Sequence, residues 1–303
     1  MRVLITGSNG LLGQKLVAAL RSGPDVELTA TSRGTDRTPA PLAMNYRSLD
    51  ITVRAEVDAV FDEARPDVVI HTAAMTNVDA CELDPTACQL QNVMATQHLV
   101  DAAKRQRSHF IFLSTDFIFD GENGPYREDD EPGPLSIYGH SKLEGERIVR
   151  ESGLERWAIA RTIIVYGIAE GLSRSNVVLW AKDALEKGKP INVVDDQWRM
   201  PTLAEDLADG CIRIAKRSAT GIYHLCGPDG MSILELVHRV GTFFSLDTGL
   251  VKPIASASLS QPAKRPPRTG FILDKARHDL DYAPHGFEAG LAVLDAQLKA
   301  AQR

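Results

Sequence analysis

Short apolar runs alternate with longer stretches of helical spacing from the first residues onward. "RVLITG" (2–7) reads as a strand, and Leu12, Leu16 and Leu20 then recur at helical spacing up to about Arg21. "VELTATS" (26–32) is the next strand, followed by a short extended piece near Ala43–Tyr46. A helix over about 52–64 leads to "PDVVIHTAA" (66–74), a nearly continuous apolar strand. A long helix over about 85–106 precedes the strand "HFIFLSTD" (109–116), and a helix holding Tyr138 precedes the strand "WAIARTIIVYG" (157–167). Strands apolar on both faces, each followed by a helix, belong in a parallel sheet covered on both sides. With right-handed crossovers that sheet is doubly wound, the Rossmann arrangement.

Beyond Gly167 the rhythm changes. A helix over about 173–188 leads to a short strand "INVVDD" (191–196), then a helix over about 203–216, and "GIYHLCG" (221–227) reads as one more strand returning to the sheet. A helix over about 231–244, a Pro- and Ser-rich stretch with "AKRPPR" (263–268) and a final amphipathic helix complete the chain. The 303 residues are enough for two lobes. The pattern predicts an α/β protein with a dinucleotide-type lobe over 1–166 plus 203–226. A smaller, mixed α/β substrate-binding cap over 167–202 plus 227–303 accompanies it.

Composition narrows the class of partner. With 44% hydrophobic and 24% charged residues and a formal net charge of -6, the chain reads as ordinary globular material. Mild acidity argues against nucleic acid as a partner. No charged-then-apolar leader precedes the first strand and no apolar run is long enough to span a bilayer, so a cytoplasmic location without membrane contact is expected. Cys81, Cys88, Cys211 and Cys226 form no CxxC pair and the histidines form no cluster, which predicts reduced thiols and no metal site. "REDDE" (127–131), flanked by Gly and Pro, reads as a solvated acidic loop and not a metal-binding cluster.

The first turn and the Tyr138 helix carry the chemistry. In "TGSNGLLG" (6–13), Gly7, Gly10 and Gly13 stand between a strand and its helix. There they permit a tight turn, approach of a pyrophosphate to the backbone, and close packing of helix on sheet. Small or polar residues follow the later strands: Ser32 and Arg33, Asp50, Ala73 and Ala74, Ser114 and Thr115. In a doubly wound sheet these positions face one crevice. In "LSIYGHSKLEGE" (135–146), Tyr138 and Lys142 are four residues apart and share a helix face, so both converge with Thr115 on one point. A free phenol has a pKa near ~10 and donates a proton sluggishly at neutral pH. A nearby ammonium together with a positively charged nicotinamide is expected to lower that value. After the second strand the chain reads "TSRG" (31–34), without the acid that an NAD site offers the ribose hydroxyls. Arg33 and Ser32 suit a 2′-phosphate, so NADPH is the expected cofactor, with NADH possible.

These motifs resemble the extended short-chain dehydrogenase/reductases, and more narrowly the dTDP-4-dehydrorhamnose reductase family. The stretches that carry the likeness are "HTAAMTNVDACE" (71–82), "LSTDFIFDGENGPYREDDEPGPLSIYGHSKLEGE" (113–146), "VVDDQWRMPT" (193–202) and "GIYHL" (221–225). The resemblance implies that Tyr138 donates a proton, Lys142 assists it, and Thr115 helps hold the substrate carbonyl. It implies cofactor contacts at Gly7, Asn9, Gly10, Leu11, Leu12, Gly13, Ser32, Arg33, Asp50, Ile51, Ala73, Ala74, Thr76 and Ser114, with Tyr138 and Lys142. Contacts with a nucleotide-sugar substrate are implied at Thr76, Val78, Asp79, Asp116, Phe117, Ile164, Gln197 and Arg199.

Two positions depart from the family's pattern. Ile164 stands where it usually has tryptophan, and Arg199 where it usually has glycine, adding a charge that could meet a phosphate or carboxylate. Lys264, Arg265 or Arg268 of "AKRPPR" could contact a diphosphate, or form a solvated linker. A homodimer is left open. Two other readings compete: a sugar-nucleotide epimerase or dehydratase on the same scaffold, and a non-catalytic regulatory subunit such as the one that binds methionine adenosyltransferase. The complete Thr/Tyr/Lys set favours catalysis over the regulatory reading, and "STD" followed by an aromatic and "FDG" (114–121) is the reductase-like form.

Overall fold

The computed structural model describes residues 1–21, 23, 25–38, 45–171 and 175–301. Seven parallel strands form the main sheet: β1 (Arg2–Thr6), β2 (Glu27–Ser32), β3 (Tyr46–Ser48), β4 (Val68–His71), β5 (His109–Thr115), β6 (Trp157–Thr162) and, at the edge beside β6, Gly221–His224. Spatially β4, β5, β6 and the edge strand lie to one side of β1, and β2 and β3 to the other. The order thus reverses beside β1, the switch point at which doubly wound sheets bind ligands. The register aligns the strand ends that matter, with Thr6 opposite both Thr31 and His71, His71 opposite Phe112, and Thr115 opposite Thr162.

Both faces of the sheet are covered, as the unbroken apolar strands predict. One layer packs Val3, Ile5, Ile70 and Ile111 under the helices Leu11–Leu20 and Ala204–Arg217. The other packs Leu4, Val69, Phe110 and Phe112 under Arg54–Ala64, Ala95–Gln106 and Ile137–Glu151. A third core, around Tyr166, Val178, Leu185, Val237 and Leu291, lies outside the sheet. Ala276, Leu280 and Tyr282, which the sequence reading gives to the cap, pack in the first of the sheet layers.

Several predicted elements change shape. The strand expected over 66–74 is only Val68–His71, and a short helix, Val78–Leu83, follows it. The helix over 85–106 starts as Pro85–Cys88, passes through a π-helical stretch at Gln89–Met94, and resumes as Ala95–Gln106. Asn92 in the π stretch explains its purpose: its amide accepts from Met75 N at 2.8 Å and donates to Met75 O at 3.0 Å. The strand over 157–167 breaks at Ile164, whose φ of 31° is a left-handed conformation rare for a β-branched residue. Val165–Tyr166 leaves the sheet and pairs instead with Thr202–Leu203. Ile191–Val194 pairs outside the main sheet with Val251–Ile254. The helix predicted from 173 runs Val177–Glu186, its earliest expected residues lying outside the described ones, as do Ala43 and Met44.

His71, read from the sequence as a satisfied core residue, is buried between the hydroxyls of Thr6 (2.7 Å) and Thr96 (3.3 Å), and burial lowers its pKa to about 3. No helix among the described residues is long and apolar enough to cross a membrane.

Candidate active site

A single cavity of about 820 Å³ runs along the carboxyl ends of the strands. One end is the first turn. Gly7 there has a φ of 79°, and a Cβ on it would stand 2.7 Å from Ala73 N, so only glycine lets the turn lie against the loop after β4. The helix Leu11–Leu20 begins at Gly10 with no side-chain cap, which leaves its first amides to an anion. Ser32, Arg33, Asp50 and Ile51 line the next part of the cavity, then Ala73, Ala74, Thr76 and Val78. Ser114, Thr115, Asp116, Phe117, Tyr138 and Lys142 follow, and Ile164, Gln197 and Arg199 close the far end.

Two expected residues do not line it. The Asn9 amide donates to Thr35 O at 2.9 Å and accepts from Arg37 N at 2.8 Å, so Asn9 shapes the loop after β2. Asp79 points to the 263–268 segment, where its carboxylate accepts from Arg265 at 2.7 Å. Arg265 does line the cavity, whereas Lys264 and Arg268 are exposed and Arg268 lies over the Trp198 ring. Sequence reasoning missed Gln91, Thr162, Ser175, Asn176, Val177 and Ile233. Asn176 carries a signal that could have found it: it caps an apolar helix by accepting from Leu179 N.

The catalytic candidates come from two elements. Ser136 caps the helix Ile137–Glu151 by accepting from Gly139 N at 3.2 Å, which puts Tyr138 and Lys142 in its first two turns, facing β5. A Cβ at Gly139 would lie 2.3 Å from Phe117 O, so this helix seats directly on the turn that follows Thr115. Tyr138 and Lys142 are 8% and 4% exposed. Phe117 stands edge-on to the Tyr138 ring at 5.8 Å, and the Lys142 ammonium lies 4.0 Å over Phe112.

The electrostatics differ from expectation. Burial pushes the Tyr138 phenol above its ordinary value, with the Thr115 side chain opposing the shift. Burial also lowers the Lys142 ammonium to about 7, with the Glu146 carboxylate opposing. Glu146 is itself held by Arg161 in a fully buried pair at 2.8 and 3.0 Å. Desolvation therefore outweighs the expected pull of Lys142 on Tyr138 and favours the protonated phenol, the form a proton donor requires.

Arg199 also departs from expectation, because it is not a free charge. Its guanidinium donates to the backbone oxygens of Trp198 (2.7 Å), Pro266 (2.8 Å) and Pro267 (3.4 Å) and lies 3.5 Å from Asp116. Arg33 is more open: it is 3.9 Å from Asp50 and 3.3 Å from Gln91, with its side chain 64% exposed.

A methionine adenosyltransferase 2 subunit beta from Xenopus tropicalis is 34% identical over 84% of this chain and 75% of its own length. A dTDP-4-dehydrorhamnose reductase from Streptomyces griseus is 34% identical over 91% of this chain and 86% of its own. The crystal structure of a dTDP-4-dehydrorhamnose reductase from Bacillus anthracis in complex with NADP superposes with a TM-score of 0.85 at 27% identity, covering 98% of this chain and 99% of that one. The family model described as RmlD substrate binding domain matches residues 1–299, and the chain belongs to that family.

Proposed function

We propose that this chain is an NAD(P)H-dependent reductase of a nucleotide-linked 4-keto-6-deoxysugar, most like dTDP-4-dehydrorhamnose reductase. The observation that carries the reading is the meeting of buried Tyr138, Lys142 and Thr115 on one wall of a cavity that begins at an uncapped glycine turn. That cavity fits a nicotinamide dinucleotide. The amides after Gly10 suit the pyrophosphate, Arg33 and Ser32 the adenosine end, and Ala73 and Ala74 leave room beside the nicotinamide.

A bound reduced nicotinamide would supply the hydride to the carbonyl carbon. The chain's own part is proton delivery and enclosure. Tyr138, kept protonated by burial, gives its proton to the carbonyl oxygen. Lys142, one turn below, holds the nicotinamide ribose and offers charge to the phenolate left behind. Phe112 and Phe117 keep water from both groups. The substrate would lie between this wall and a cap built around the third core of Tyr166, Val178, Leu185, Val237 and Leu291, in a cytoplasmic enzyme.

The test is NAD(P)H oxidation against a panel of nucleotide-linked 4-keto sugars. Because Ile164 offers less area than tryptophan and no indole N–H, turnover of dTDP-4-dehydrorhamnose is expected, but below that of another sugar in the panel. If dTDP-4-dehydrorhamnose is the best substrate, Ile164 does not tune selection; if no sugar nucleotide binds, the substrate class is wrong. The relatives named as subunits of methionine adenosyltransferase support a second reading, a cofactor-binding regulatory subunit. Tight cofactor binding with no turnover across the panel favours that one.

NADPH is the expected cofactor. Hydrogen bonds to a charged group contribute about 1.5–3 kcal/mol, so Arg33 and Ser32 on a 2′-phosphate predict a roughly tenfold to hundredfold preference in kcat/KM. Equal values for NADPH and NADH in the native protein refute the preference. An unchanged ratio in Arg33→Ala clears Arg33 of the role.

A further inference from the structure

We propose that Gln91 is a positioning residue for the cofactor, which together with Asp50 holds the Arg33 guanidinium at the adenosine end of the cavity and so sets the preference for a 2′-phosphate, a role that rests on the NADPH reading.

Arg33 has a fixed backbone and a loose side chain. The Tyr46 hydroxyl of β3 lies 3.0 Å from Ser32 O and 2.8 Å from Gly34 O, and Gly34 N donates to the Ser48 hydroxyl at 3.2 Å. β3 thus pins the chain on both sides of Arg33, while the Arg33 side chain stays 64% exposed. A long exposed arginine samples many rotamers, and that freedom is lost when it grips a phosphate. Two groups restrict it beforehand. The Asp50 carboxylate, just after β3, is 3.9 Å from one guanidinium nitrogen, and Gln91 Oε1 accepts from the other at 3.3 Å. All three residues line the cavity.

Gln91 comes to Arg33 from a distant part of the chain, the π-helical stretch Gln89–Met94. Single π turns inside helices are found at functional sites. This one is anchored by the next residue, Asn92, whose amide donates to Met75 O at 3.0 Å and to the Ser141 hydroxyl at 2.9 Å, on the helix of Tyr138 and Lys142. The turn that carries Gln91 is therefore fixed to the catalytic helix. A guanidinium has donors only, so the oxygen of the Gln91 amide must be the atom that faces it. Neutrality is the useful property of this partner. An acid at 91 would orient Arg33 and cancel its charge; glutamine orients it and leaves the charge for a 2′-phosphate. NADH, with a hydroxyl in that place, gains little from either.

Calorimetric titration of NADPH and NADH into native protein, Gln91→Leu, Arg33→Ala and the double variant tests this, and needs no sugar substrate. Gln91→Leu is expected to weaken NADPH binding about three- to tenfold with NADH within about twofold, and to add no loss in the Arg33→Ala background. In Gln91→Glu the carboxylate competes with the phosphate for Arg33, so NADPH binding is expected to fall by about tenfold or more, again with NADH little changed. A merely structural role would weaken both cofactors alike, and that outcome overturns the proposal. So does a native preference that either substitution at 91 leaves unchanged, or a Gln91→Leu loss of equal size with and without Arg33, since Gln91 would then act on the cofactor directly. Equal affinities of the native protein for NADPH and NADH overturn the NADPH reading itself and this proposal with it.

Discussion

Tyr138→Phe is expected to lower turnover by roughly 10²–10⁴-fold while leaving cofactor affinity near that of the native protein. The substitution removes one oxygen from a buried ring and leaves the ring's packing intact, including its edge-on contact with Phe117 and its place beside Cys81 and Cys88. The fold therefore loses little. What disappears is the proton donor nearest the Thr115 end of the cavity. Its neighbours cannot replace it: Thr115 already donates to Asp116, and Lys142 lies a turn away over Phe112. Steady-state kinetics on a substrate of the native protein, paired with a cofactor titration, separate the two effects. Near-normal turnover of Tyr138→Phe would sink the assignment.

The sheet was legible because its strands are apolar on both faces, a pattern that admits few alternatives. The glycine turn and the Tyr138–Lys142 pair were legible because their chemistry depends on local spacing. What escaped the sequence depended on distant partners or on backbone torsion. The break of the 157–167 strand turns on the left-handed conformation of Ile164, a residue whose side chain advertises a strand. The π stretch at Gln89–Met94 keeps the apolar spacing of a helix, and only the Asn92 bonds to Met75 reveal why it is there. Arg199 and Asp79 looked like groups free to meet a substrate. Their charges are instead engaged by Asp116 and Arg265, far away in the chain. Burial inverted the expected charge balance at Tyr138 in the same way, since desolvation is a property of the packed site and not of the pair.

The glycine turn gives a prediction in which two neighbouring substitutions fail for different reasons. Gly13→Ala is expected to destabilise the protein strongly. Its Cβ would lie 2.2 Å from Gly7 O and 2.6 Å from Ser8 Cα, both backbone atoms that cannot move without opening the turn or lifting the helix Leu11–Leu20 from the sheet. Overpacking against backbone costs about 3 kcal/mol or more, a fall in Tm on the order of 5–10 °C for a chain of this size. Gly10→Ala is different. Gly10 has an ordinary extended backbone (φ −79°, ψ 170°), and a Cβ there meets only Gly7 O, at 3.2 Å. Its methyl therefore stands in the cavity, where a pyrophosphate must approach the helix amides. Gly10→Ala should keep its Tm within a few degrees of the native protein, since the strain is slight, yet weaken NADPH binding by about tenfold or more. Thermal unfolding and cofactor titration of both variants decide the matter. Native-like cofactor affinity in Gly10→Ala would move the pyrophosphate away from this turn, and native-like stability in Gly13→Ala would show that the helix does not need the close approach that glycine permits.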